Sequence, residues 1–185
     1  QNVDLLITHH PLIFKPLKSI EFHTPLGAVL KLATLKNLAI FAAHTNLDSA
    51  AGGLNDILAR RIGLKELKPM VAGKEIKRYQ YDNDPAISQE HRPGIGRVGY
   101  LGTAMDLKSF ARMIKKEMGL KRIKYAGDPL LKIKKAAVCT GSGSSLLADF
   151  FASGAEAYIS GDMRYHDARD VEAANLGVID IGHFS

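Results

Sequence analysis

The 185-residue sequence predicts an α/β protein, with mixed sheets flanked by helices in two lobes and a dinuclear metal site at the carboxyl ends of strands. Three observations predict it. Short apolar runs alternate with amphipathic segments at helical spacing. A polar stretch over 73–96 divides the alternation. Five of the seven histidines fall just after predicted strands, the edge at which open α/β sheets bind their ligands.

The elements follow in order. Val3 to Thr8 is an apolar run suited to a buried strand. Thr24 before Pro25 reads as an N-cap with proline at the first helical position, and Leu26, Val29, Leu30 and Ala33 continue at helical spacing. Leu38 to Ala43 is a second strand. Leu54, Ile57, Leu58 and Ile62 mark a second helix that ends near Gly63. Residues 73–96, with Asp82-Asn83-Asp84-Pro85 and Arg92-Pro93-Gly94, form an irregular connection. The expected organisation is therefore a first lobe over 1–72, this connection, and a second α/β segment over 97–185 whose last strand returns to the metal site. In that segment Arg97 to Gly102 is a strand. Leu107, Phe110, Ala111, Ile114 and Met118 define a helix capped by Asp106. Ile133 to Thr140 is a strand, and the turn Gly141 to Ser145 leads to a helix with Leu146, Leu147, Phe150 and Phe151. Ala157 to Ser160 is a strand, 164–176 a helix, and Val178 to Ile181 the last strand.

Composition narrows the classes. Hydrophobic residues make up 46% and charged residues 24% of the chain, which argues against disorder. No apolar run approaches the roughly 20 residues of a membrane span, and no secretory signal is visible. The single cysteine, Cys139, rules out an intrachain disulfide and makes a reducing cytoplasm the default. Its apolar setting, Ala136-Ala137-Val138-Cys139, reads as a buried structural thiol. The net charge of +6 favours anionic partners. The lysines and arginines are scattered, however, with no interleaved aromatics to stack on bases, so nucleic-acid binding is disfavoured.

The histidines carry the chemistry. His9-His10 follow the first strand. His44 follows the second, with Asp48 four residues on. Asp162 and His166 follow a later strand, and His183 follows the last. Neutral imidazole and carboxylate are ligands for Zn²⁺, Mn²⁺ and Fe²⁺. Adjacent histidines point in different directions, so His9 and His10 could serve two neighbouring ions, with a carboxylate such as Asp48 bridging them. Two ions about 3.5–4 Å apart can activate water and stabilise an attacked group. Each piece also has a plainer reading: His9-His10-Pro11 as a turn, His44 with Asp48 as a hydrogen-bonded loop, His166 paired with Asp170 one turn on, and His183 capping a strand. His23 and His91 fall outside the pattern. The loop Thr140-Gly141-Ser142-Gly143-Ser144-Ser145 could cradle an anion or could be a tight turn whose glycines allow close packing.

An ordered set of stretches resembles a known family. It comprises Ile7-Thr8-His9-His10-Pro11-Leu12-Ile13-Phe14, Ala43-His44-Thr45-Asn46-Leu47-Asp48, Gly52-Gly53-Leu54-Asn55-Asp56, Gly96-Arg97-Val98-Gly99, Ser160-Gly161-Asp162 with Tyr165-His166, and Asp180-Ile181-Gly182-His183-Phe184. Together they span nearly the whole chain and are similar to the Ngg-interacting-factor-three family, the GTP cyclohydrolase I type 2 homologues. The resemblance implies two related α/β lobes and two divalent ions held by His9, His10, Asp48 and His183. It implies that His44 and His166 are pocket residues rather than main ligands. It also implies a ring-like homohexamer. The large insertion found in some members is expected to be absent, because no extra domain fits between residues 64 and 97. A further glutamate ligand, expected four positions after His183, would fall beyond Ser185, and the chain is expected to be truncated at both ends.

The expected function is a metal-dependent hydrolase, resembling a GTP cyclohydrolase, that acts on a small-molecule substrate: a nucleotide or a phosphoester. His166 or His44 would be its proton shuttle. The rival is a metal-binding regulatory or protein-interaction module without turnover.

Overall fold

The computed structural model describes residues 3–73 and 93–183. The chain separates into two compact units, residues 1–47 and 48–185. No helix among the described residues is long and apolar enough to cross a membrane.

Unit 1 is one β-α-β unit. Strand β1 (Leu5–Thr8) and strand β2 (Ala39–Ala42) pair in parallel, Leu5 opposite Ala39 and Thr8 opposite Ala42. Parallel strands need a crossover, here helix α1 (Pro25–Leu35). Its start is as the sequence predicts: Thr24 Oγ1 accepts from Gly27 N–H at 3.1 Å, with Pro25 at the first position. Gly27 is needed there because a Cβ would lie 2.0 Å from the Glu21 carbonyl oxygen. The unit buries little of its own apolar surface. Within α1 only Gly27 and Ala33 are buried, and Leu5, Ile7, Leu32 and Phe41 are all at least half exposed.

Unit 2 is a six-stranded mixed sheet with helices on both faces. After the short helix α2 (Thr45–Ser49) and helix α3 (Leu54–Arg61), its strands are β3 (Leu64–Ala72), β4 (Gly94–Asp106), β5 (Lys124–Ala126), β6 (Lys132–Ser142), β7 (Ala157–Gly161) and β8 (Gly177–Asp180). The spatial order is β3-β4-β6-β7-β8-β5. The centre, β6-β7-β8, is parallel, and the flanking pairs are antiparallel. Successive strand residues point to opposite faces, and the core divides accordingly. Ala136, Val138, Ile159 and Ile179 pack with Leu58 of α3, with Ile62 just past its end, and with Leu107, Phe110 and Ile114 of helix α4 (Leu107–Glu117). Ala137, Cys139, Tyr158 and Val178 pack with Phe150 of helix α5 (Leu147–Ser153) and Val171 of helix α6 (Tyr165–Ala173). Asp106 caps α4, its carboxylate accepting from Ser109 N–H at 2.8 Å. Cys139 is the buried thiol expected, and burial pushes its pKa up to about 11.

The structure departs from the sequence reading in several places, among them β1, expected to be buried and instead largely exposed, and the unpredicted helix α2. Strands β3 and β5 were not predicted: β3 alternates charged and apolar residues irregularly around a bulge at Glu66, whose φ is +54°, and β5 is three residues long. The turn after Gly141 enters α5 through a 3₁₀ turn, Ser144–Leu146. The expected irregular connection falls largely on residues 74–92, outside those described, but β4 already begins at Gly94. The lobe boundary differs as well. Helix α3 and strand β3, assigned from the sequence to the first lobe, belong to unit 2, because β3 forms an antiparallel ladder with β4.

A buried ion pair ties α3 to β4. Arg97 Nε donates to Asp56 Oδ1 at 2.6 Å and Nη2 to Oδ2 at 3.2 Å, with both side chains at most 3% exposed. The other guanidinium N–H groups donate to the carbonyls of Gly94, Gly96 and Ala50, and Gly52 N–H donates to Asp56 Oδ2. Burial by itself would raise the Asp56 pKa. The hydrogen bonds from Arg97 and Gly52, with the charges of Arg97 and Arg60, outweigh it and hold the carboxyl below its ordinary 3.8.

Removing one partner strands a buried charge, so Asp56→Ala or Arg97→Ala is expected to cost about 3–5 kcal/mol in urea unfolding. Because the folded-state pKa of Asp56 is depressed, its contribution is full above the ordinary carboxylate range and is lost as pH falls through 3.8 toward the lowered value. Stability measured from pH 6 down to about pH 3 should therefore decline more steeply in the wild type than in Asp56→Asn.

Candidate metal centre

In unit 1 the parallel ladder brings three imidazoles together. The ladder continues past β1 and β2 through Ala43 N–H, which donates to the Thr8 carbonyl at 2.8 Å. This sets His9-His10 beside Ala43-His44. The ring centroids lie 5.0 Å (His9–His10), 5.0 Å (His9–His44) and 5.2 Å (His10–His44) apart. One ligand nitrogen from each falls within 4.8 Å of the others. His9 Nδ1 lies 2.7 Å from the Ala43 carbonyl oxygen. A carbonyl can only accept, so the proton is on Nδ1 and the basic nitrogen is Nε2. A backbone carbonyl in this position is a common support for a metal-ligating histidine. His44 is steadied by its own turn: its N–H donates to Asn46 Oδ1 at 2.7 Å, and its Nδ1 lies 3.2 Å from Thr45 Oγ1.

Unit 2 gathers its candidate residues at the carboxyl ends of its parallel strands, as the edge rule predicts. Thr140, near the end of β6, donates from Oγ1 to Asp48 Oδ1 at 3.2 Å. Beyond β8, His183 Nδ1 lies 2.9 Å from Asp162 Oδ2, and the carboxylate accepts from it. Three residues of this edge adopt left-handed backbone: Gly141 at φ +67°, Asp162 at +49° and Gly182 at +82°. Gly161 lets the strand ends converge. A Cβ there would lie 2.5 Å from the Gly182 carbonyl oxygen and 3.1 Å from that of Gly141.

Among the sequence-predicted residues, His9, His10 and His44 converge within unit 1, although the sequence reading set His44 apart from the ligands. Asp48 and His183 lie in unit 2, each with a hydrogen-bond partner. His166 is exposed in the first turn of α6, edge-on to Tyr165 at 5.4 Å between ring centroids. The loop at Gly141–Ser145 is the close-packed turn. Gly143 N–H donates to Ser160 Oγ at 2.8 Å, its carbonyl accepts from Tyr158 Oη at 2.9 Å, and a Cβ there would lie 2.2 Å from that hydroxyl.

Asn55, quoted from the sequence only within a motif, and Thr140, only within the candidate anion loop, turn out to be partners of Asp48. Asn55 is fully buried; its Nδ2 donates to the Asp48 carbonyl at 3.0 Å and its Oδ1 accepts from Thr140 N–H at 2.9 Å. A signal was present. The buried face of α3 runs Asn55, Leu58, Ala59 and on to Ile62, whereas Ile57, read as part of the apolar face, is 53% exposed. An asparagine at i−3, i−4 and i−7 from core residues marks a buried amide that needs partners.

The model for a family described as Duf34/NIF3 (NGG1p interacting factor 3) matches residues 1–185. A GTP cyclohydrolase 1 type 2 homolog of Clostridium perfringens is 36% identical over the whole chain, and one of Clostridium acetobutylicum is 34% identical. The chain spans 65% and 64% of those relatives' lengths. Among solved structures, a Bacillus cereus protein related to NIF3 superposes with a TM-score of 0.77 at 25% identity, covering 97% of this chain and 72% of that one. Reduced HcgD of Methanocaldococcus jannaschii gives 0.72 at 31% identity, covering 99% and 64%.

Gly161→Ala is expected to push the turn at Gly182 away from β7 and to lower stability by about 1–3 kcal/mol, the usual cost of overpacking. A wild-type urea midpoint and an unshifted His183 imidazole resonance would show that the strand ends tolerate a methyl group.

Proposed function

This chain belongs to the Duf34/NIF3 family, and from that premise we propose that it binds two divalent cations, zinc, manganese or iron, and acts as a metal-dependent hydrolase. The observation that carries the reading is the convergence of His9, His10 and His44, whose ligand nitrogens lie within 4.8 Å of one another. The proposed ligands are His9, His10, Asp48 and His183. Their chemistry suits these ions: neutral imidazoles and a carboxylate, with His9 and His183 each engaging a hydrogen-bond acceptor through Nδ1. When bound, the ions would supply Lewis acidity and activated water.

The chain's own groups would bind and position the ions and move protons. The Ala43 carbonyl and Asp162 fix two imidazole tautomers. His44, in ring contact with both His9 and His10, and His166, exposed on α6, are the proposed proton carriers. The relatives' names make GTP a candidate substrate, and the same parts would serve a phosphoester. Exposed Leu5, Ile7, Phe14 and Phe41 support a homo-oligomer, with a hexamer as the proposed form. The rival reading, a metal-holding interaction module without turnover, is favoured by the family's description as an interacting factor.

Elemental analysis is expected to find about two divalent ions per chain, reduced in His9→Ala and Asp48→Ala, with turnover of nucleotides or phosphoesters by the loaded protein and its loss in His44→Ala. Full metal content without turnover would favour the interaction module. No metal after reconstitution would sink both readings.

A further inference from the structure

We propose that Asn55 and Thr140 are positioning residues that hold the Asp48 carboxylate in its ligating orientation. The inference rests on the reading of Asp48 as a metal ligand and adds the groups that make it one.

Asp48 lies near the end of α2, a helix of five residues with no buried member. So short a helix cannot by itself fix a side chain. The restraint comes from α3 and β6. Asn55 is fully buried, and its amide spans two backbones, donating to the Asp48 carbonyl at 3.0 Å and accepting from Thr140 N–H at 2.9 Å. This closes a ring: backbone of Asp48, amide of Asn55, backbone of Thr140, hydroxyl of Thr140, and back to Asp48 through the 3.2 Å bond to Oδ1. Backbone and side chain of Asp48 are thus both tied to the same strand end. Asn55 is itself held by its neighbour, because Asp56 forms the buried pair with Arg97.

The chemistry of the hydroxyl matters. A carboxylate has about four lone-pair sites, so one bond from Thr140 selects an orientation and leaves acceptor capacity for a cation. A lysine in that place would neutralise the charge a divalent ion needs, whereas a hydroxyl does not. Such outer partners of metal ligands typically contribute ten- to a hundred-fold in metal affinity.

The test titrates cobalt(II) alone into four proteins: wild type, Thr140→Val, Thr140→Ser and Asp48→Ala. Valine keeps the shape of threonine and the backbone bond to Asn55 but removes the hydroxyl. The expected result is that Thr140→Val binds cobalt about ten- to a hundred-fold more weakly, with a changed visible absorption spectrum and a wild-type fold by circular dichroism. Thr140→Ser should restore both affinity and spectrum. Wild-type affinity and spectrum in Thr140→Val, alongside lost binding in Asp48→Ala, would overturn the positioning role and leave the metal reading standing. If Thr140→Val loses stability and affinity together, and Thr140→Ser recovers stability alone, the role is structural and the inference falls. Undiminished cobalt binding in Asp48→Ala, or none in any of the four, would remove Asp48 as a ligand and this inference with it.

Discussion

The Arg97–Asp56 pair is the constraint on which unit 2 depends. A guanidinium has five N–H donors, and burying it is tolerable only if all of them are met. Here Asp56 takes two and the carbonyls of Gly94, Gly96 and Ala50 take the rest. Satisfying one side chain therefore fixes the loop before α3, the first turn of α3 and the start of β4 together. Asn55 sits next to Asp56, and its amide can reach both Asp48 and Thr140 only because that helical turn is held in place.

Both units follow the same geometric rule. Parallel strands end side by side, and the residues just beyond them are brought close without any long-range search by flexible loops. In unit 1 this unites His9 and His10 with His44; in unit 2 it brings Gly141 against Gly161 and, past β8, His183 against Asp162. The Ala43 carbonyl orients His9, and the Asp162 carboxylate orients His183.

Much of this was legible in the sequence, for physical reasons that differ by element. Thr24 and Asp106 announced their helices because a capping oxygen answers to local chemistry alone. The apolar runs of β6 and β7 announced themselves because both faces of those strands are covered. Strand β3 did not: it is an edge strand, interrupted by a bulge, with Lys65, Glu66 and Lys68 exposed, and its pattern follows its partner rather than its own period. Among the site residues, the histidines were legible as a pattern of types at strand ends. Asn55 was hidden by a helix face assigned one step out of phase: Ile57 is apolar and exposed, Asn55 polar and buried, so hydrophobicity alone points the wrong way. Thr140 was hidden because its partner Asp48 lies 92 positions away, and nothing local records that bond.

The contact at Gly161 has a consequence for how this chain can vary. The space for a Cβ is filled by the Gly182 carbonyl, and backbone cannot step aside as the tip of a flexible side chain can. Every glycine codon shares its first two bases, and any missense change in either installs a side chain. Even alanine, the smallest single-base replacement, meets that carbonyl, so a side chain at position 161 is best accommodated by a matching shift of the turn at Gly182.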